Sequence, residues 1–385
     1  MPDLGPIVQR VLMTTDTAGG VWDYSLELAA GLRRRGVRTI LAIMGNPILK
    51  VRCIEAKAIP DLQLEFGEFK LEWMANPEED VACASEWLLK LARQYEPDLV
   101  HLNSYAFASL PWHKPCVLVA HSCILSWWNA VKKTDIPDDF DWYRGIVASG
   151  LQLADGVVFP TNSLRNQMER IYGPIQNSEV ILNGKDPFRY KPGRKKRFIF
   201  SAGRLWDEAK NVAALEHVST HLRWPTLIAG DCKKPDGSGN APQRITYLGF
   251  LAPSRMAEFY AEASIFVSPA SYEPFGLAVL EAALSGCALV LGNIPTFHEL
   301  WEDAALFVDP DDLQGLKHAL TTLTEDQRKL ESLARKARER AFRYSGEAMS
   351  GKYYDTYSEL CMDYTLLSES QDRSRHVGPE LQVEF

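Results

Sequence analysis

The stretch that decides the fold is SIFVSPASYEPFGLAVLEAALSGCALVLG, residues 264–292. It begins and ends with short apolar runs that are typical of buried strands. Between them, Leu277 to Leu284 is apolar on every side except at Glu281, and a helix that is apolar all round is a buried one. A strand, a buried helix and a second strand in succession predict one unit of a parallel sheet that carries helices on its faces.

The same alternation runs along the rest of the chain and forms two series. The predicted strands of the first series are VQRVLMTT, VRTILAIMG, PDLVHLN, CVLVAHS and ADGVVFPT; those of the second are RFIFSAGR, PTLIAGD, ITYLGFL, SIFVSPA and CALVLG. A polar, basic segment joins the series, NGKDPFRYKPGRKKR at 183–197. The pattern predicts two doubly wound Rossmann-like α/β domains, with ligand bound in a crevice at the carboxyl ends of the strands.

The domain boundaries follow from this division. We predict an N-terminal domain over 1–188 and a C-terminal domain over 189–343. The stretch AFRYSGEAMSGKYYDTYSELCMDY predicts a long final helix, assigned to 344–364. The remaining residues, 365–385, are polar and are expected to be a loosely ordered tail.

Composition narrows the class of protein. A chain of 385 residues is longer than a single core usually supports, which favours two domains. The formal net charge of −8 argues against a dedicated nucleic-acid binder. Seven cysteines without a C-x-x-C pair suit reduced thiols. With no signal-peptide pattern and no apolar run long enough to span a membrane, we expect a cytoplasmic protein and leave attachment to a membrane surface open. The cluster Arg33 to Arg35 is either a basic patch for anionic lipid or phosphate or the cationic end of a helix.

The first loop of the chain ends in Gly19-Gly20 and opens a helix. Backbone N–H groups at a helix N-terminus are suited to bind an anion, although any tight turn from strand to helix favours glycine. The fingerprint G-x-G-x-x-G is absent, and the second predicted strand does not end in an acidic residue. A nicotinamide-dependent dehydrogenase is therefore disfavoured.

Two cations follow the first strand of the second series, in SAGRLWDEAKN. Arg204 comes directly after the strand, and Lys210 lies just before the next helix. Both are expected at the mouth of the crevice, where a diphosphate needs neutralising. The alternative is that both are ordinary solvated charges.

Glu273 and Glu281 flank the start of the buried helix. Pro274 and Gly276 indicate a turn into that helix, which places the two carboxylates about 10 Å apart. Backbone N–H groups from Phe275 to Leu277 lie between them and are available to an anion. A ligand with hydroxyls at both ends and phosphate in the middle, such as a nucleotide sugar, fits this arrangement.

The sequence then resembles a known family. The segments that resemble the C-terminal half of family 4 retaining glycosyltransferases (glycosyl transferases group 1) are GRLWDEAKN, IAGD, ITYLGF, ASYEPFGLAVLEAALSGCALVLG and FHELWEDAALFVDPDD. ILNGKDPFRYKP is similar to the interdomain segment of that family, and TAGGVWDYSLELAAGLRRRG to its first loop and helix. The resemblance implies the GT-B fold: two domains that face each other across a cleft, with a C-terminal helix that crosses back to the N-terminal domain.

The resemblance also implies roles for individual residues. Arg204 and Lys210 bind the diphosphate and stabilise charge on the leaving group, Glu273 contacts the donor sugar, and Glu281 binds the ribose. The set predicted to act at the reacting centre is Arg204, Lys210, His121 and Glu273. The set predicted to bind the donor is Gly19, Gly20, Glu281, Pro274, Phe275, Gly276 and Leu277.

His121 follows the strand CVLVAHS and is expected, by resemblance, to line the site of the donor sugar. Two departures from the family pattern concern the same region. Ser122 stands where relatives frequently have an acidic residue, and Ile294 to Thr296 replace glycines before Glu299, near the sugar. Trp127 and Trp128 are interpreted either as a wall for the acceptor or as core packing.

The function that the resemblance implies is transfer of a hexosyl unit, with retention, from a nucleotide sugar to an acceptor hydroxyl. Family frequency favours a uridine nucleotide, and neither a metal nor another cofactor is expected. The acceptor is a small molecule, a glycan or a lipid-linked compound. Alternatives are an epimerase or sugar synthase of the same fold and a non-catalytic nucleotide-sugar-binding protein; a glycosidase is disfavoured because neither glutamate stands as a nucleophile opposite an acid.

Overall fold

The computed structural model describes residues 7–17, 19–45, 50–234 and 237–376, and within them two parallel sheets. The first sheet has the order β3-β2-β1-β4-β5-β6-β7. Its strands are β1 (Arg10–Asp16), β2 (Arg38–Met44), β3 (Gln63–Phe66), β4 (Leu99–Leu102), β5 (Cys116–Val119), β6 (Gly156–Phe159) and β7 (Ser178–Val180). The helices between them are α1 (Gly20–Arg34), α2 (Lys50–Lys57), α3 (Glu78–Tyr95), α4 (Ile124–Val131), α5 (Asp141–Leu153) and α6 (Asn162–Tyr172).

The second sheet has the order β10-β9-β8-β11-β12-β13. Its strands are β8 (Lys196–Ala202), β9 (Thr226–Ala229), β10 (Thr246–Tyr247), β11 (Ala263–Ser268), β12 (Ala288–Gly292) and β13 (Ala305–Val308). The helices are α7 (Val212–Ser219), α8 (Pro253–Glu262), α9 (Leu277–Leu284), α10 (Pro295–Trp301), α11 (Leu313–Glu325) and α12 (Gln327–Ala341). In each sheet the first three strands in sequence are added in one direction, and the later strands are added on the other side of the first strand, β1 or β8. This reversal of strand order confirms the predicted pair of doubly wound domains.

The quoted stretch 264–292 forms β11, α9 and β12, as predicted. Helix α9 is buried between the sheet and helices α8 and α12 because its side chains are apolar on every face except at Glu281. Gly292 is required at the end of β12, since a Cβ there would lie 2.1 Å from the carbonyl oxygen of Ala270. The loop that carries the candidate residues is thus pressed directly against the neighbouring strand.

The sequence interpretation missed several elements and misjudged two lengths. Strands β3, β7 and β13 were not predicted as strands, and helices α2 to α6 and α10 to α12 were not predicted individually. The predicted strand ITYLGFL pairs only at Thr246–Tyr247. The final helix, α13 (Gly346–His376), continues past residue 364 into the segment expected to be a loose tail. The reason is that 365–376 contains neither glycine nor proline, the two residues that most readily end a helix; the rest of that tail, from 377, lies outside the described residues.

Helix α13 crosses back to the N-terminal domain, as the resemblance implied. Tyr353 and Tyr357 on α13 are fully buried, and the ring of Tyr353 lies 6.0 Å from that of Tyr24 on α1. At Gly31 on α1, a Cβ would come within 2.3 Å of Ser350, so the two helices are in close contact. The start of α13 is joined to the interdomain segment by the backbone of Lys185, whose N–H donates to the carbonyl oxygen of Tyr344 and whose carbonyl oxygen accepts from the N–H of Gly346.

The three arginines at the end of α1 pair with acidic side chains. Arg33 contacts Asp61 at 2.7 Å, while Arg34 and Arg35 contact Glu347 on α13 at 3.3 and 2.5 Å. These contacts favour a structural role for the cluster over a free basic patch. Among the described residues, no helix has the length and apolar character that crossing a bilayer requires.

We expect Tyr357→Phe to lower the free energy of unfolding by about 1–3 kcal/mol, because the Tyr357 hydroxyl lies 2.6 Å from Nδ1 of the buried His101 and its removal leaves that nitrogen unpaired. Tyr354→Phe is the matched control, since it removes a hydroxyl from a partly exposed position on the same helix. Chemical denaturation followed by circular dichroism measures both. Equal stabilities of the two variants would contradict the assignment of this hydrogen bond.

Candidate functional site at the cleft between the two sheets

The carboxyl ends of the two sheets face each other, and loops from both domains meet there. Gly19 follows β1, and a Cβ on it would lie 3.3 Å from Cδ of Arg204, which follows β8. A Cβ on Gly20 would lie 3.6 Å from the side chain of Leu277. Four of the residues predicted from the sequence, two from each domain, are therefore in contact across the cleft.

The same contacts bring two helix N-termini together. Helix α1 begins after Gly19 (φ +117°) and α9 begins after Gly276 (φ +93°), and in the described part of the chain no side-chain cap is found at either first turn. The first backbone N–H groups of a helix have no partner inside the helix and carry partial positive charge. This region of the cleft is therefore suited to bind an anion from two sides.

Both predicted cations lie beside these N-termini, each paired with a carboxylate. Arg204 donates to Asp207 at 3.1 Å and remains 38% exposed. Lys210 contacts Glu273 at 2.6 Å, with both side chains less than 20% exposed. The sequence interpretation gave Lys210 and Glu273 separate contacts with a ligand, but the structure makes them partners of each other.

Glu281 is also paired within the protein. Its Oε1 lies 3.0 Å from Nζ of Lys185, whose side chain is 5% exposed, and it accepts a hydrogen bond from the hydroxyl of Tyr190 at 2.9 Å. Burial lowers the pKa of Lys185, but Tyr190 and Glu281, with further acidic groups, outweigh it and hold that pKa well above its usual value. The sequence predicts contacts of both glutamates with ligand hydroxyls; in the structure Lys185 and Lys210 already pair with them, and the ligand contacts stay a prediction.

Lys185 and Tyr190 were missed because they lie in the interdomain segment, far from Glu281 in sequence. The only signal in the sequence is general: a carboxylate in a buried helix needs a partner, so some cation or hydrogen-bond donor must reach Glu281. The segment NGKDPFRY supplies two cations, Lys185 and Arg189, and sequence alone does not say which one reaches α9.

His121 lies just beyond β5 and is held on one side. Its Nε2 lies 2.7 Å from Oδ1 of Asn103, and its ring meets the ring of Tyr24 edge to face at 4.5 Å. Burial, with a smaller contribution from His101, lowers the pKa of His121 to about 3. The imidazole is therefore neutral at physiological pH. Asn103 was not predicted as a site residue.

The turn that carries Glu273 is held by the opposite domain. The hydroxyl of Tyr272 accepts a hydrogen bond from the backbone N–H of Cys123 at 3.3 Å and lies 2.8 Å from Oγ of Ser126. The hydroxyl of Thr161 donates to the carbonyl oxygen of Pro274 at 3.0 Å. The turn is thus part of the interface between the domains as well as of the candidate site.

Glu299 and the tryptophans also join the two domains. The carboxylate of Glu299 accepts hydrogen bonds from the backbone N–H groups of Asn162 and Ser163, at 2.9 and 2.7 Å, and so caps α6. The family pattern placed Glu299 near the sugar, but its carboxylate is engaged by α6. Trp127 donates to Asp207 at 3.0 Å, and Trp128 packs its ring 5.5 Å from Phe140, so both tryptophans contribute to packing and to the interface.

Two family models match the chain. The model described as "Glycosyltransferase Family 4" matches residues 18–189, and the one described as "Glycosyl transferases group 1" matches residues 184–340. The chain is 25% identical to the glycogen synthase of Mycobacterium tuberculosis, over 86% of this chain and 90% of the relative. It is 24% identical to the D-inositol 3-phosphate glycosyltransferase of Rhodococcus opacus, over 91% of this chain and 88% of the relative.

Solved structures show the same fold. Sucrose-phosphate synthase from Thermosynechococcus elongatus superposes with a TM-score of 0.75 at 18% identity, over 91% of this chain and 99% of that chain. Anabaena HepE in complex with UDP-glucose superposes with a TM-score of 0.72 at 17% identity, over 91% of this chain and 100% of that chain. The two matched family models together with the paired parallel-sheet domains identify the chain as a member of glycosyltransferase family 4, with the GT-B fold.

Proposed function

We propose that this glycosyltransferase moves a hexosyl unit from a nucleotide sugar to an acceptor hydroxyl and retains the anomeric configuration. The observation that supports this most strongly is the meeting of two uncapped helix N-termini with Arg204 and Lys210. Four sources of positive potential in one cleft suit a diphosphate, the charged part of a nucleotide sugar.

The rest of the donor extends to either side of the diphosphate in this proposal. Glu281, on the buried helix α9, receives the ribose hydroxyls, and Lys185, 3.0 Å away, orients the Glu281 carboxylate. Glu273, with Lys210, contacts hydroxyls of the sugar. HepE, a structure with this fold, is described in complex with UDP-glucose, which supports a uridine nucleotide as the donor.

The chemistry that we propose needs no protein nucleophile. The acceptor oxygen approaches the anomeric carbon beside the departing diphosphate, the bond from that carbon to the phosphate oxygen breaks, and the acceptor proton passes to the released oxygen. Arg204, Lys210 and the helix N-termini stabilise the negative charge that develops on the diphosphate. This charge neutralisation supports the expectation that no metal is needed.

The acceptor is proposed only as a hydroxyl compound. The relatives named above are a glycogen synthase and a glycosyltransferase of D-inositol 3-phosphate, so their names cover both a glycan and a small phosphorylated acceptor. Product analysis with UDP-glucose and candidate acceptors separates transfer from epimerisation, in which the nucleotide sugar itself changes and no acceptor is consumed.

We expect Lys210→Ala to lower kcat by a factor of about 100 or more, because one charge that stabilises the leaving diphosphate is lost. Lys196→Ala is the matched control: Lys196 pairs with Glu262 at 2.6 Å on the exposed start of β8. Initial rates of nucleoside diphosphate release measure both variants, with circular dichroism to confirm that each is folded. A rate close to that of the wild type for Lys210→Ala would remove this residue from the mechanism.

A nucleotide that binds the cleft should raise the melting temperature by a few degrees, since ligand at 100 times its Kd stabilises the folded state by about 2.7 kcal/mol. We expect UDP or a UDP-hexose to produce this shift and Glu281→Gln to abolish most of it. The shift is compared within each variant, because Glu281→Gln also leaves Lys185 without its anionic partner. Glu262→Gln is the control. The absence of a shift with UDP, GDP, ADP and their hexose conjugates would refute the donor site.

A further inference from the structure

The orientation of the Asn103 side chain is determined by its neighbours. Its Nδ2 lies 2.6 Å from the backbone carbonyl oxygen of Thr14 and 3.4 Å from Oγ of Ser25. Its backbone N–H donates to Oγ1 of Thr14 at 2.8 Å. Since a carbonyl oxygen only accepts hydrogen bonds, the amide nitrogen must face Thr14, and the amide oxygen Oδ1 must face the opposite way.

Two histidines meet that amide oxygen. Nε2 of His121 lies 2.7 Å from Oδ1, and Nε2 of His101 lies 3.1 Å from it. An amide oxygen has no proton to give, so each Nε2 must carry one and donate it. Nδ1 of His101 is then an acceptor, which matches the hydroxyl of Tyr357 at 2.6 Å. The Tyr24 hydroxyl, 3.5 Å from Nε2 of His101, can accept from the same N–H, so one set of proton positions satisfies the hydrogen bonds of both rings.

The other nitrogen of His121 is left with a lone pair. Burial and the nearby His101 hold the pKa of His121 near 3, so its ring carries a single proton, the one on Nε2. Its Nδ1 makes no hydrogen bond to any residue in the described part of the chain, and the side chain is partly exposed at the carboxyl end of β5. Such a nitrogen accepts a hydrogen bond and does not donate one.

We propose that Asn103 is a positioning residue that fixes His121 as the Nε2–H tautomer, so that Nδ1 can bind only a hydrogen-bond donor. The group of the ligand that meets His121 is then a hydroxyl and not a phosphate oxygen. His121 does not supply a proton to the leaving group at neutral pH. This inference rests on the proposed function for the identity of the ligand, but the tautomer itself does not depend on it.

The tautomer is measured directly by two-bond proton–nitrogen NMR correlations on protein labelled with ¹⁵N-histidine, with the signals of His121 assigned by their loss in His121→Gln. We expect a protonated Nε2 and an unprotonated Nδ1 from pH 5 to 8 in the wild type. Asn103→Ala should give averaged signals from both tautomers. Asn103→Asp keeps an acceptor but adds a negative charge, so Nε2 should stay protonated while the pKa of His121 rises. A wild-type ring protonated at Nδ1, or charged at pH 7, would overturn the proposal.

Kinetics test the consequence for the ligand. Asn103→Ala should lower kcat/KM for the nucleotide sugar about tenfold or more, because a buried hydrogen bond that orients His121 is lost. Its affinity for the nucleoside diphosphate alone, which has no sugar, should be unchanged. Ser104→Ala is the matched control, since the neighbouring hydroxyl donates to Glu72 at 2.6 Å and not to either histidine.

Equal losses in sugar-nucleotide turnover and in nucleoside diphosphate affinity would show a general structural role for Asn103 and overturn the proposal. If the wild type transfers no sugar from any donor, the proposed function fails, whereas the NMR result still decides the tautomer. The tautomer of His121 and the proposed transferase activity are therefore tested by independent measurements.

Discussion

The geometry of the cleft depends on one turn, Tyr272 to Gly276, that is held from both domains. Its backbone enters α9 through Gly276, whereas its Tyr272 hydroxyl and Pro274 carbonyl are hydrogen-bonded to the N-terminal domain. The turn cannot move with one domain without breaking its bonds to the other. Because Glu273 and its partner Lys210 belong to the same domain as the turn, the hydrogen bonds of Tyr272 and Pro274 tie this ion pair to the opposite domain.

The charges of the cleft are paired within the protein itself. Lys210 with Glu273 and Lys185 with Glu281 are largely buried, and removing one member of such a pair leaves an uncompensated charge that is costly in a low-dielectric interior. A ligand that binds here must replace or supplement these contacts rather than meet bare charges. Arg204 differs, since its partner Asp207 leaves the guanidinium more than one third exposed and open to an added anion.

The sequence predicts the parts of this molecule that depend on local pattern. The sequence of α9, apolar on every side except at Glu281, indicates a buried helix, and the glycines before α1 and α9 mark the two turns that expose N–H groups. Strand β3 escaped prediction because its residues, Gln63–Phe66, are half-exposed at a sheet edge and show no apolar run. The partners of Glu281 and His121 escaped for another reason: Lys185 and Asn103 reach them only through the folding of segments distant in sequence.

The far end of the chain supports the candidate sugar site through buried side chains. Tyr357 on α13 bonds to His101, His101 shares the amide oxygen of Asn103, and that oxygen also holds His121. Each link has one donor and one acceptor, so the loss of any link leaves an unpaired polar group in the interior, where this is costly. Helix α13 therefore does two things when it packs on the N-terminal domain: it buries apolar surface, and it supplies the Tyr357 hydroxyl that completes this hydrogen-bond network. The proton arrangement of His101, which shares the Asn103 oxygen with His121, accordingly depends on a residue more than two hundred positions away in the sequence.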